Sequence, residues 1–218
     1  MKNALDFTGK VVLVTGGGGG IGRGIAEAFD RCGAQVVVAE IDPVRADATR
    51  SALGKTSRVA VTDVRDSAAV DALLHEVASS YGRLDVLVNN VGDFLGIVKP
   101  LEEYADADFD ALFAVNLRQV FQVTRSSLPL MKQTGSGGSV ISVSSIEAFR
   151  GIPMNVVYSA FKAGITGFTK SLALELGPSG IRVNAIAPET TESEQVKPSA
   201  WIPEQYQEHI ARWIPLGR

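Results

Sequence analysis

A chain of 218 residues, 45% hydrophobic and 21% charged, has the size and balance of one globular domain. Its formal net charge of -3 gives a nucleic-acid backbone or an anionic membrane surface nothing to hold. The lone cysteine, Cys32, excludes an internal disulfide and fits a reducing compartment, read here as the cytoplasm. No apolar run reaches the roughly 18 residues of a membrane span, and the first residues lack the apolar run and cleavage site of a signal peptide.

The first element is the run 11-VVLV-14, apolar throughout, as in a strand buried on both faces. It leads into 15-TGGGGGIGRG-24, and a helical pattern covers about 22–32. A glycine-rich turn between a buried strand and an amphipathic helix is the context in which backbone amides hold a pyrophosphate. Gly16 makes the tight turn, Gly20 lets backbone approach the phosphates, and Gly22 lets the helix pack on the strand. A second strand, 36-VVVAE-40, ends in Glu40, 18 residues after Gly22. A carboxylate there accepts from both hydroxyls of an adenosine ribose and repels a 2′-phosphate. Ala39 is not basic and Arg23 is the only positive charge near the loop, so NAD is expected rather than NADP. Asp42 and Pro43 read as the cap and first residue of a helix over 43–53.

A third strand, 58-RVAV-61, precedes Asp63, which can cap the next helix, about 67–80. Then come the strand 85-DVLVN-89, a long helix over 106–132, the strand 139-SVISV-143, a helix over 157–176 ended by Gly177-Pro178, and the strand 181-IRVNAI-186. Strict alternation of strand and helix predicts an α/β fold, a doubly wound parallel sheet in a single domain spanning 1–218. Its strand C-terminal ends lie along one edge, where ligands bind. The tail, 189–218, is rich in proline and polar residues and reads as a substrate loop or lid with a short helix near 203–212. No His/Cys/Asp/Glu cluster has metal-ligand spacing, and no metal is expected.

Chemistry enters at 157-VYSAFKAG-164. Tyr158 and Lys162, four apart on a helix, share one face. A phenol is a poor acid or base near neutrality, and an ammonium one turn away favours the phenolate and draws its pKa down. Ser145 ends the apolar run before them and offers a hydroxyl to a carbonyl oxygen. Together the three predict proton transfer at a substrate oxygen.

In this order and spacing, the chain resembles the short-chain dehydrogenase/reductase family in its classical form, over residues 7 to 218. Thr15, Gly16, Gly20 and Gly22 match its TGxxxGxG, the run 89-NNVG-92 its NNAG, and Ser145, Tyr158 and Lys162 its catalytic serine and YxxxK. The 3-oxoacyl-acyl-carrier-protein reductases and hydroxysteroid dehydrogenases are similar branches. The resemblance implies a Rossmann fold and hydride transfer between NAD(H) and a secondary alcohol or ketone. It implies catalysis by Asn116, Ser145, Tyr158 and Lys162, with Asn116 interrupting its helix to hold a water. It also implies cofactor contacts from Ile21, Asp63, which touches adenine, Val64, Asn90, Gly92, Pro188, Thr190 and Thr191, and a homo-oligomer, dimer or tetramer. Ser193 takes the place of a family threonine near the phosphates. A non-catalytic dinucleotide-binding or sensor protein is the alternative reading.

The chain departs from the family twice. Glu189 stands where the family has glycine, so its charge either holds an oxidised nicotinamide or the segment sits differently. The family continues past 214-IPLGR-218 with another helix and a seventh strand, so the natural chain is expected to run on beyond 218. The loop residues expected to face substrate are Phe94, Leu95, Glu147, Phe149, Met154, Asn155 and Trp201, and their mostly apolar character predicts a hydrophobic alcohol or ketone.

Overall fold

Consecutive strand residues point to opposite faces of a sheet, and here both faces are buried. Val11 and Leu13 of β1 (Val11–Thr15) join one hydrophobic core with Val37, Leu87 and Val140, while Val12 and Val14 join a second with Val36, Val38 and Val88. This is why the inner strand runs, such as β1, are apolar without alternation, while the edge strand at 181–186 alternates buried and exposed residues. The computed structural model describes residues 5–191 and Ser193, so the helix expected near 203–212 and Trp201 lie outside the described residues.

The strands β1, β2 (Gln35–Glu40), β3 (Arg58–Val61), β4 (Val86–Asn89), β5 (Gly138–Val143) and β6 (Ile181–Ile186) form one parallel sheet in the order β3-β2-β1-β4-β5-β6. Helices α1 (Gly20–Arg31) and α2 (Pro43–Ala52) contribute Ala26 and Ala46 to the second core. Helices α3 (Ser67–Tyr81), α5 (Gln119–Gln133) and α7 (Val156–Leu176) pack on the opposite face through Leu73, Val77, Val123, Met131, Leu172 and Leu176. The chain reverses its winding between β1 and β4, which places a crevice at their C-terminal ends.

Three local expectations change. The helix expected over 106–132 is two helices, α4 (Asp106–Phe113) and α5, joined by a π-helical turn at Ala114–Arg118. The cap of α3 is Asp66, whose carboxylate accepts from the Ala68 amide, and Asp63 instead pairs with Arg65 through contacts of 2.8–3.2 Å. A short helix, α6 (Glu147–Arg150), stands just after β5 where no element was expected. Asp42 does cap α2, accepting from the amides of Val44 and Arg45.

At the N-terminal edge of the sheet Asp85 ties β1 to β4. Its buried carboxylate accepts from the Val11 amide at 3.0 Å, from Arg83 at 2.6 and 2.7 Å and from Lys10 at 3.0 Å. Burial alone would raise its pKa, but the Arg83, Val11 and Lys10 donors outweigh burial and hold it below the usual carboxylate range. Asp85→Ala strands these donors and should cost about 3 kcal/mol in urea unfolding. In the parent protein that stability should be present at neutral pH and fade as pH falls through and below the ordinary carboxylate range.

Candidate active site

The glycine turn closes directly on the end of β1. Gly16 has φ of +63°, a left-handed conformation that a side chain would strain, and a Cβ on Gly22 would stand 2.2 Å from the Gly16 carbonyl oxygen. The residue capping α1, Gly19, has no side chain to accept from the first-turn amides, which leaves them to an anion. Ser193 lies against this turn, its Cβ 3.3 Å from where a Cβ on Gly20 would be. Ile21 follows in the first turn of α1, while Thr190 and Thr191 hydrogen-bond to Glu189.

Across the crevice Thr15 and Asn90 lock β1 to β4. The Thr15 hydroxyl accepts from the amides of Asn90 (3.0 Å) and Val91 (3.3 Å), and Asn90 Nδ2 donates to the carbonyls of Thr15 and Gly16, each at 3.1 Å. Asn89 turns into the core instead, donating to Thr124 and Ser142.

Glu40 is buried at the end of β2 and is already engaged. One carboxylate oxygen accepts from the Gly18 amide at 2.9 Å, and the other accepts from the Asp42 amide at 3.1 Å and from Arg45 Nη2 at 2.9 Å. Arg45 was missed as a charge near this position. It follows Asp42 closely, and the cap that starts α2 swings it back over Glu40. Arg23, the positive charge noted in the glycine loop, pairs with Glu27 at 2.9 Å. Asp63 and the buried Val64 follow β3 at the same edge.

The π-helical turn has a local cause. Asn116 Nδ2 donates to the Leu112 carbonyl at 3.0 Å and to the Asp93 carbonyl at 2.7 Å, while its Oδ1 accepts from the Asp93 amide at 3.1 Å. Gln119 Nε2 similarly takes the Val115 carbonyl at 3.3 Å and the Val91 carbonyl at 2.9 Å. The two side chains take up helix carbonyls and pin the stretch after β4 to the helix pair. Between them and α7 lies Gly92, where a Cβ would stand 2.4 Å from Lys162 Nζ and 3.1 Å from Asn116 Oδ1.

Lys162 is buried rather than on a solvated helix face. Its Nζ donates to the Val143 carbonyl at 3.0 Å and sits 5.6 Å from the centroid of the Tyr158 ring. Ser144 holds α7 against β5, its hydroxyl donating to the Lys162 carbonyl at 2.8 Å. Ser145 accepts from the Glu147 amide at 3.2 Å, and its hydroxyl stands close enough to Tyr158 to favour the phenolate. The expected lowering of the Tyr158 pKa is not what the site produces. Burial pushes the Tyr158 phenol up, the charges of Glu147 and Asp93 push it the same way, and the Ser145 hydroxyl only partly opposes them. Burial also lowers Lys162 from its usual 10.5 to about 8, with Asp93 working against that. Desolvation therefore outweighs the expected help of the ammonium to the phenol.

Glu189 does not present a free charge. Arg150 grips it with two contacts of 2.7 and 3.1 Å and also holds Glu147 at 2.8 Å. Among the described residues only Leu95 and Met154 are non-glycine residues in the left-handed region, so Glu189 needs no glycine-like backbone. The Pro188 carbonyl accepts from the Ile146 amide at 3.0 Å, joining this segment to α6. Arg150 and Asp93 were also missed. The signals were present, an i, i+3 charge pair at Glu147 and Arg150 and an acid directly after 89-NNVG-92.

A family model described as short chain dehydrogenase matches residues 10–201. The chain is 33% identical to a galactitol 2-dehydrogenase of Agrobacterium fabrum over 98% of its own length and 86% of the relative's. It is 38% identical to a 3-oxoacyl-(acyl-carrier-protein) reductase of Thermotoga maritima, with the same 98% and 86% covered. Among solved structures, 3-ketoacyl-(acyl-carrier-protein) reductase from Brucella melitensis complexed with NADH matches with a TM-score of 0.86 at 32% identity, covering 98% of this chain and 86% of that one.

The lowered pKa of Lys162 is a cost to folding. Below pH about 8 the ammonium is charged in both folded and unfolded chains, and the burial penalty is fully present. Between about 8 and 10.5 only the unfolded chain holds the proton, so stability should rise with pH across that window. Lys162→Met should flatten this rise and stabilise the ligand-free protein at pH 7 by about 1–3 kcal/mol, as read by urea unfolding at several pH values.

Proposed function

The chain belongs to the short-chain dehydrogenase family, and on that premise we propose that it transfers a hydride between NAD(H) and a secondary alcohol or ketone. The observation that carries this reading is the position of the buried Lys162 ammonium, against Gly92 and Asn116 on one side and the Tyr158 ring on the other. A buried cation with one carbonyl acceptor among the described residues fits a site completed by ligand hydroxyls.

The donors and turns described fit a dinucleotide. Thr15, Gly16, Gly20, Ile21 and Gly22 would hold its pyrophosphate, Glu40 the adenosine ribose, and Asp63 and Val64 the adenine. Asn90, Gly92, Tyr158 and Lys162 would hold the nicotinamide ribose, and Pro188, Thr190 and Thr191 the nicotinamide. The bound cofactor supplies the hydride acceptor or donor. Tyr158 takes the proton from the alcohol oxygen in oxidation and returns it in reduction. Ser145, whose oxygen already accepts from the Glu147 amide, points its proton to the substrate oxygen as negative charge develops there. Lys162 stabilises the Tyr158 phenolate, and Asn116 connects Lys162 to solvent through a water. The exposed Phe109, Phe121 and Leu174 on α4, α5 and α7 support a homo-oligomer formed through those helices.

Tyr158→Phe should lower kcat by about 10²–10⁴ while leaving NADH affinity within a few-fold, measured by absorbance and by fluorescence titration. Retained turnover would remove Tyr158 from the reaction. Glu40→Ala leaves Arg45 beside the adenosine site without its carboxylate, and the ratio of NADP to NAD affinity should rise about tenfold or more. An unchanged ratio would remove Glu40 from cofactor choice.

A further inference from the structure

Two polar residues stand out among the mostly apolar ones expected to face substrate. Glu147 opens α6, two residues after Ser145, and its amide donates to the Ser145 hydroxyl. Its side chain is 12% exposed. Oε1 is held by Arg150, while Oε2 is buried with no hydrogen-bond partner. The carboxylate is near enough to Tyr158 for its charge to disfavour the phenolate. Asn155 occupies the cap position of α7, three residues before Tyr158. Asparagine is among the best helix caps, accepting from the amides of the first turn. Here it makes no such bond, its backbone lies at φ −133° and ψ 34°, and its Oδ1 is also buried without a partner. The preceding Met154 is in the left-handed region at φ 64°, where a methionine is strained. Strain there, with a cap residue withheld from capping, marks a turn kept for something other than the helix.

Two acceptors therefore stand unpaired on the two segments that carry Ser145 and Tyr158. A buried carboxylate oxygen without a donor is costly, and an apolar substrate closing the site would leave both acceptors dry. A hydroxyl donates to each with a good hydrogen bond, charge-assisted at Glu147. We propose that Glu147 Oε2 and Asn155 Oδ1 accept hydrogen bonds from further hydroxyls of the substrate, so that the enzyme acts on vicinal diols and polyols, or their hydroxyketones, in preference to simple alcohols. This rests on the dehydrogenase reading above and replaces the hydrophobic substrate expected from the loop composition. The exposed Leu95, Phe149 and Met154 are then rim residues. Arg150 holds Glu147 and Glu189 together, so it fixes the carboxylate and keeps its second oxygen for the ligand. A site built around a substrate hydroxyl rejects the analogue that lacks it, because the unpaired acceptor remains.

The test compares butane-2,3-diol with butan-2-ol, and a hexitol with hexan-2-ol, as NAD-dependent substrates of the full chain. The expected result is kcat/KM at least about tenfold higher for the hydroxylated member of each pair. Glu147→Gln, which keeps an acceptor for Arg150 but replaces the second oxygen with a donor, should collapse that ratio towards one, and Asn155→Ala should lower it. Equal kcat/KM for both members, or a Glu147→Gln variant that keeps the ratio, would overturn the proposal while leaving the dehydrogenase reading standing. Binding of the hexitol to the Tyr158→Phe protein with NAD, by calorimetry, gives a readout without turnover. No heat with the hexitol overturns the polyol assignment, whereas failure to bind NADH at all would instead sink the dehydrogenase reading.

Discussion

The arrangement turns on one buried ammonium. Lys162 comes from the second turn of α7, is almost fully removed from water, and has the Val143 carbonyl as its hydrogen-bond acceptor. Everything around it is shaped to make this tolerable. Gly92 has no side chain because its Cβ would meet Nζ, Asn116 leaves the helical ladder to hold the Asp93 backbone alongside, and Ser144 ties the Lys162 carbonyl to β5. The desolvation that lowers its pKa also raises that of Tyr158. Burial thus holds both groups away from their ordinary proton affinities.

The sheet serves this cluster by fixing its ends. Asp85 closes β1 on β4 at one edge, and Thr15 with Asn90 closes the same pair at the other. Between these two ties the strands are packed on both faces by apolar side chains, so the crevice at the point where the winding reverses has rigid walls. Loops can vary above such a frame without moving it. The segment after β6 shows this. Glutamate replaces the glycine expected at 189, and Arg150 absorbs its charge while Pro188 stays bonded to the Ile146 amide.

Polarity in the site is distributed by depth. Exposed Leu95, Phe149 and Met154 give the loops over the site their apolar character. Glu147 Oε2 and Asn155 Oδ1, by contrast, are among the buried acceptors without a partner in the described residues, as are Asn89 Oδ1 and Gln119 Oε1. In a site from which water is displaced, the energetic weight lies with those buried groups, since an unpaired acceptor costs more than an exposed phenylalanine gains.

Local information was enough for much of this protein. The inner strands were legible because a run such as 11-VVLV-14 needs only its own residues to declare burial on both faces, and Asp42-Pro43 announced a helix start within two positions. The glycine turn, Ser145, Tyr158 and Lys162 were legible for the same reason, as short patterns at fixed spacing. What tertiary structure alone decided depended on neighbours far apart in the chain. The continuous helix expected over 106–132 gave way to a π-helical turn because Asn116 and Gln119 meet the backbone at 91–93, after β4. Asp63 lost the cap to Asp66, and Glu40 acquired Gly18 and Arg45 as partners. Above all, spacing places an ammonium one turn from a phenol, but desolvation depends on every element packed around them, and that sum set the direction of both pKa shifts.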